Sequence, residues 1–220
     1  LLKPADFYRA AENVGKTARL DHWLVEQMCG YACGWLPYAL EHRFRLHIDC
    51  SGHHCLREEF LAGVEQMVGQ EACSFGEWRI EVDETLFREG NREEQGRLGG
   101  SSAPDIGFCL SKFGSGLMPL RLLQRADCRA VKIDAELIAG LGDNPGSERL
   151  VRSMIDVTNR FGCELVAAGV DNQQQAFWLK EAGCRYGQGG LFGELITAEE
   201  VGAILDPEER ALFVSHPPSE

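Results

Sequence analysis

Apolar residues along this chain recur with two different periods. In the second half, short apolar runs alternate with stretches of helical spacing. Asp105–Leu110, Ala130–Ile133 and Glu164–Ala168 read as strands, the last ended by Gly169. Ser147–Phe161 carries Leu150, Val151, Met154, Ile155 and Val157 at helical spacing. Asn172–Ala182 predicts a helix with Phe177, Trp178 and Ala182 turned inward. Tyr186 leads to a final strand or turn at Gln188-Gly189-Gly190-Leu191-Phe192, and Ala198–Leu205 predicts a terminal helix. Pro119–Gln124 reads as a short helix. The first half keeps the rhythm less cleanly, with helices over Pro4–Glu12 and Ala18–Met28, the second carrying Leu20, Trp23, Leu24 and Gln27 a turn apart. A strand at Phe44–Ile48, a helix at Leu56–Val68 and a strand at Trp78–Val82 follow. Arg88–Ser102 is polar and ends in Gly99-Gly100-Ser101-Ser102, a flexible connector.

Regular strand–helix alternation implies parallel strands joined by crossover helices. Periodicity alone leaves two architectures open, a doubly wound sheet and a (β/α) barrel. Both place function at the C-terminal ends of the strands. Those ends carry Asp49, Glu81, Ser111 with Lys112, Lys132 with Asp134, Ala168 with Asp171, and Gln188.

Composition narrows the class. The 220 residues, 44% hydrophobic and 25% charged, suit one domain over 1–220 with a sizeable core. The formal charge of −12 offers no basic stripe, which argues against a nucleic-acid partner. No apolar run is long enough to span a bilayer, so direct membrane insertion is not expected. The first residues have no signal-peptide layout and open inside an element, as in a piece of a longer protein. Nine cysteines at scattered spacings do not form a disulfide framework. They read as small buried hydrophobes in a reducing compartment, hence a cytoplasmic location. Cys29 with Cys33, and His53-His54-Cys55, have the ligand types of a metal site but lack a second ligand pair at zinc spacing, and read as structural.

In order and spacing the motifs resemble those of the EAL domain, the cyclic di-GMP phosphodiesterase family, over nearly the whole chain. Pro4-Ala5-Asp6-Phe7 with Ala11-Glu12 and Gly15 is similar to the segment just after the family's name-giving motif, which places the Glu-Ala-Leu strand before Leu1. Leu20-Asp21-His22-Trp23 resembles Leu-Asp-x-Trp, and Ile80-Glu81-Val82-Asp83-Glu84-Thr85 resembles Glu-Ile-Thr-Glu. Ile48-Asp49-Cys50-Ser51 stands for an Asn-Leu-Ser strand end. Phe113-Gly114-Ser115-Gly116 resembles the Phe-Gly-Thr-Gly of the family's Asp-Asp loop, and Val131-Lys132-Ile133-Asp134 matches Lys-Ile-Asp. Val166-Ala167-Ala168-Gly169-Val170-Asp171 stands for Val-Ala-Glu-Gly-Val-Glu, and Gly183-Cys184 with Gln188-Gly189 matches the closing motif. The resemblance implies a single-domain, TIM-like (β/α) barrel of the EAL type, lacking its N-terminal strand segment here.

The family's chemistry uses two divalent cations that clamp a phosphodiester and activate water. The resemblance assigns their ligand positions to Asp49, Glu81, Ser111, Lys112 and Ala168, with Lys132 orienting the water. It assigns ligand-binding roles to Asp21, Lys132, Asp171 and Gln188. The departures are specific. The Asp pair is Ser111-Lys112 and the last Glu is Ala168, so three anionic ligands are gone and one is a cation. This predicts that the Mg/Mn site is lost, with no cofactor, and that the Lys112 ammonium pairs with Glu81 or Asp49. Gly190, Glu194 and Leu195 replace an aromatic, a basic residue and a Pro at the rim, and Leu117-Met118-Pro119 replaces a polar loop. The expected function is a signalling domain that is not an enzyme, acts through a protein partner or a homodimer, and binds cyclic di-GMP weakly or not at all. A metal-independent cyclic di-GMP receptor is the alternative, and a working phosphodiesterase the third reading.

Overall fold

In the computed structural model, residues 4–39, 45–50, 53–69, 77–83, 106–115, 123 and 128–205 are described. The expected connector Arg88–Ser102 and the loop Leu117-Met118-Pro119 lie outside them, as does the helix expected at Pro119–Gln124 apart from Leu123. Helices α1 (Pro4–Asn13) and α2 (Thr17–Ala39) precede β1 (Arg45–Cys50). A 3₁₀ turn (His53–Leu56) and α3 (Glu58–Val68) lead towards β2 (Glu77–Asp83), β3 (Ile106–Phe113) and β4 (Cys128–Ile133). Then come α4 (Ala135–Ala139), α5 (Pro145–Phe161), β5 (Glu164–Ala168), α6 (Gln173–Glu181), β6 (Tyr186–Gln188) and α7 (Ala198–Leu205).

All five strand pairings are parallel and the strands lie in sequence order, β1-β2-β3-β4-β5-β6. A doubly wound sheet would reverse its order at a switch point. The sheet instead curls into a half-barrel. Arg45 on β1 reaches Glu164 on β5 at 2.7 Å, and its guanidinium lies 5.0 Å from the ring centroid of Tyr186 on β6. In a flat sheet β1 and β5 would stand about 19 Å apart, four strand spacings. Only curvature brings them within a side chain's reach.

Period-2 alternation sorts the side chains. Ile48, Trp78, Ile80, Val82, Ile106, Phe108, Leu110, Val131 and Ile133 are buried in one core with Val64, Val151, Met154 and Ile155 of the helices. The alternate set turns into the concave side and is polar: Arg45, His47 and Asp49 on β1, Glu77, Arg79 and Glu81 on β2, and Lys132 on β4.

Local chemistry sets the helix ends. The Asn144 side chain accepts from the Gly146 and Ser147 amides, Pro145 sits in the first turn of α5, and Gly162 ends the helix in the left-handed region. Asn172 and Gln175 form a reciprocal capping box on α6. The sequence reading omitted α4, whose five residues are too few for a periodicity signal; the Asp134 side chain caps it by accepting from Glu136 N.

One inward face differs from expectation. Phe177 is 68% exposed, and α6 buries Gln175 and Leu179 instead, because its N-terminal box fixes the helix's rotation. Trp23 is 51% exposed; the buried stripe of α2 is Asp21, Val25, Cys29, Ala32 and Trp35. That stripe also explains why α2 runs well past Met28. Of the cysteines, Cys29, Cys50, Cys55, Cys109, Cys128 and Cys163 are buried free thiols. No helix among the described residues is long and apolar enough to cross a membrane.

Gly189 is the tightest backbone approach at the last strand. A Cβ there would lie 2.4 Å from both the amide nitrogen and the carbonyl oxygen of Val170. Val170 is bonded on both sides, donating to Gln188 O and accepting from Leu191 N, so it cannot retreat. Gly189→Ala should therefore lower stability by about 2 kcal/mol or more. In urea unfolding this appears as a lower midpoint at unchanged slope; a wild-type midpoint would contradict the close approach.

Candidate functional site

The C-terminal ends of the strands enclose a cavity of about 720 Å³. Of the residues expected there, it brings together Asp49, Glu81, Ser111, Lys112, Lys132 and Ala168. Glu12, Asp83 and Asp134 line it too, as does Cys50. The register explains the clustering: Asp49 is opposite Glu81 across β1 and β2, and Asp83 is opposite Ser111 across β2 and β3.

Glu81 is the electrostatic centre. Its carboxylate is buried and accepts from Lys132 Nζ, and its Oε1 lies 2.7 Å from His47 Nδ1. Burial alone would push the Glu81 carboxyl up, but His47 and the Lys132 ammonium bring it below the usual carboxylate range. Asp49 behaves oppositely. Its side is open to the cavity yet crowded from behind, and burial followed by the Glu81 charge raises it, only partly offset by the two lysines.

Lys112 departs from expectation. Its ammonium pairs with Asp83 Oδ2 at 2.9 Å rather than with Glu81 or Asp49. The cause is local: Lys112 is the one described non-glycine residue with a positive φ, 52°. That twist, in a stretch where β3 and β4 slip register, directs its side chain to the rim, where it is 66% exposed. The Asp83 hydrogen bond raises the Lys112 pKa.

Asp21, Asp171 and Gln188 do not line this cavity among the described residues. Asp21 is wholly buried. Its Oδ1 accepts from the Tyr8 hydroxyl at 2.7 Å, and His54 Nε2 lies 2.8 Å from Oδ2. The Tyr8 hydroxyl also stands 3.1 Å from the Asp49 carbonyl oxygen, and burial with the Asp21 hydrogen bond pushes its pKa far up. Asp171 Oδ1 accepts from Gly190 N at 2.9 Å, which holds the loop after β6. Gln188 contributes its backbone carbonyl to Val170 N, with its residue surface exposed.

Sequence reasoning missed His47, Asp83 and Tyr8. The signal for His47 and Asp83 was present, since each lies two residues from a chosen strand-end residue and so shares its face. Tyr8 gave none, because its contact is made between elements far apart in sequence.

A model of the EAL domain family matches residues 1–194. Among curated relatives, an uncharacterized protein of Mycobacterium tuberculosis, Rv1354c, is 25% identical over 205 residues, 93% of this chain. The chain spans only a third of that relative's length, 33%. Among solved structures, the EAL enzyme Bd1971 with cAMP and cyclic di-GMP bound gives a TM-score of 0.80 at 19% identity, over 94% of this chain and 56% of that one. A MucR phosphodiesterase in complex with cyclic di-GMP gives 0.78 at 22%, over 91% of this chain and 81% of that one. The EAL fold is thus shared. The expectation that this chain stands apart from enzymes is corrected by these matches: the family is one of cyclic di-GMP phosphodiesterases, and the neighbours are an EAL enzyme and a phosphodiesterase. With its motif series matched from residue 1 to 194, the chain belongs to the EAL domain family.

Proposed function

We propose that this EAL domain takes cyclic di-GMP into the strand-end cavity, with the Lys132 and Lys112 ammoniums passing from carboxylate to phosphate partners on binding. The carrying observation is the Lys132–Glu81 pair at the cavity's centre, beside Lys112–Asp83 at its rim. A phosphodiester carries one negative charge, as does the carboxylate each lysine gives up, so each lysine keeps a charge-assisted hydrogen bond on binding. The cavity volume lies within the usual range for small-molecule sites.

Charge sets the strength of that binding. Glu12, Asp49, Glu81, Asp83 and Asp134 line the cavity against Lys112 and Lys132, so a dianionic dinucleotide meets a net negative wall. Affinity is therefore modest. Family members work with magnesium or manganese. Here the positions Ser111, Lys112 and Ala168 supply a hydroxyl, an ammonium and a methyl group, while Lys132 already occupies Glu81. That donor set does not fit a caged pair of hard cations, which want several oxygens each. We place the signalling output in protein contacts, with a partner or a second copy, that change when the lysines move.

Isothermal titration with cyclic di-GMP, in chelator and again in magnesium, with product analysis for the linear dinucleotide, tests this reading. The expected result is weak saturable binding in chelator that Lys132→Gln lowers about tenfold. Absence of heat and of turnover under both conditions would reject it.

The crowded wall makes a second prediction. Asp49 holds its proton more tightly in the fold than in the unfolded chain, so its ionisation opposes folding, and this cost is absent below its ordinary value of 3.8 and grows as pH rises through the raised one. Asp49→Asn should thus stabilise the protein at neutral pH, by less than about 1 kcal/mol because solvent screens the group. Thermal unfolding from acid to neutral pH should show that advantage vanishing in acid; an advantage independent of pH would contradict it.

A further inference from the structure

Below the cavity floor, on the concave side of the sheet, three side chains of different chemistry converge. His47 of β1, Glu81 of β2 and Cys109 of β3 each present one ligand atom, and these atoms all lie within 4.8 Å of one another. The register forces this: Glu81 and Cys109 are direct partners across β2 and β3, and His47 shares a face with Asp49, the partner of Glu81. Glu81 and Cys109 are buried, and His47 is half-buried.

We propose that His47, Glu81 and Cys109 form a site for a single borderline-soft divalent metal ion, of the zinc or cobalt(II) class. Imidazole, carboxylate and thiolate select such ions over magnesium or manganese, which prefer oxygen alone. A tetrahedral ion with bonds of about 2.0–2.3 Å sets its ligand atoms about 3.3–3.8 Å apart. His47 and Glu81, now 2.7 Å apart, need to open by less than 1.5 Å, and the widest pair to close by about as much. Side-chain rotation covers both. Three protein ligands leave a fourth position open towards Asp49 and the cavity.

The ion takes a lone pair each from His47 Nδ1, whose proton then resides on Nε2, from the Glu81 carboxylate, and from the Cys109 sulfur. The Cys109 thiol releases its proton to the buffer. Lys132 yields Glu81 to the ion and swings into the cavity. The site shares Glu81 and Lys132 with the dinucleotide reading, but it needs no nucleotide and is probed with the metal alone.

The test is titration of the reduced, chelator-treated full chain with cobalt(II), read by absorbance. The expected result is saturation at a single equivalent, a thiolate-to-cobalt charge-transfer band, displacement of cobalt by zinc, and release of one proton per ion. Cys109→Ala abolishes the band and His47→Gln weakens binding at least about tenfold, whereas Cys128→Ala and Cys184→Ala keep the band. Should Cys109→Ala fail to fold, X-ray absorption on the zinc-loaded wild type decides, with one sulfur and otherwise nitrogen and oxygen ligands expected. No uptake, a shell with no sulfur or with several, or a band that survives Cys109→Ala would overturn the site.

Discussion

Curvature of the sheet is the constraint on which the rest depends. Six parallel strands in sequence order could lie open, and their inward side chains would then face water separately. The Arg45 bridge to Glu77 and Glu164, with Tyr186 beneath the guanidinium, joins the first strand to the fifth and sixth. Once the sheet curls, side chains two residues apart on each strand converge at successive depths. Arginine and glutamate meet at the bottom, histidine and glutamate with a thiol in the middle, and aspartates with lysines at the mouth. Each layer tolerates charge only because its neighbours supply the opposite sign.

This layering explains what the sequence could reveal. The strand ends were legible, because each apolar run stops where a polar residue begins, and Asp49, Glu81, Ser111, Lys132 and Ala168 do line one cavity. The motif series also announced the fold. The partner of Lys112 was not legible. A one-residue slip between β3 and β4 and a left-handed backbone at Lys112 have no periodic signature, and they moved its ammonium from the centre to the rim. Likewise Phe177 read as facing inward, but the rotation of its helix was set elsewhere, by a capping box.

The departures at Ser111, Lys112 and Ala168 do not remove this chain from its family, which the match over residues 1–194 shows. They redistribute charge inside a shared architecture. Glu81 is kept, while a hydroxyl, an ammonium and a methyl group stand at three positions where the family has carboxylates. His47 belongs to the same redistribution, since it supports Glu81 from below while Lys132 holds it from above.

Tyr8 ties the first helix to this arrangement. Its hydroxyl holds the buried Asp21 carboxylate and also touches the Asp49 carbonyl. His54, on the turn after β1, stands with its Nε2 2.8 Å from the other oxygen of Asp21. Three segments distant in sequence thus meet at one buried carboxylate. The first helix is therefore anchored to the edge of β1 beside the mouth of the barrel, and a single phenol hydroxyl carries that anchorage to the Asp49 backbone.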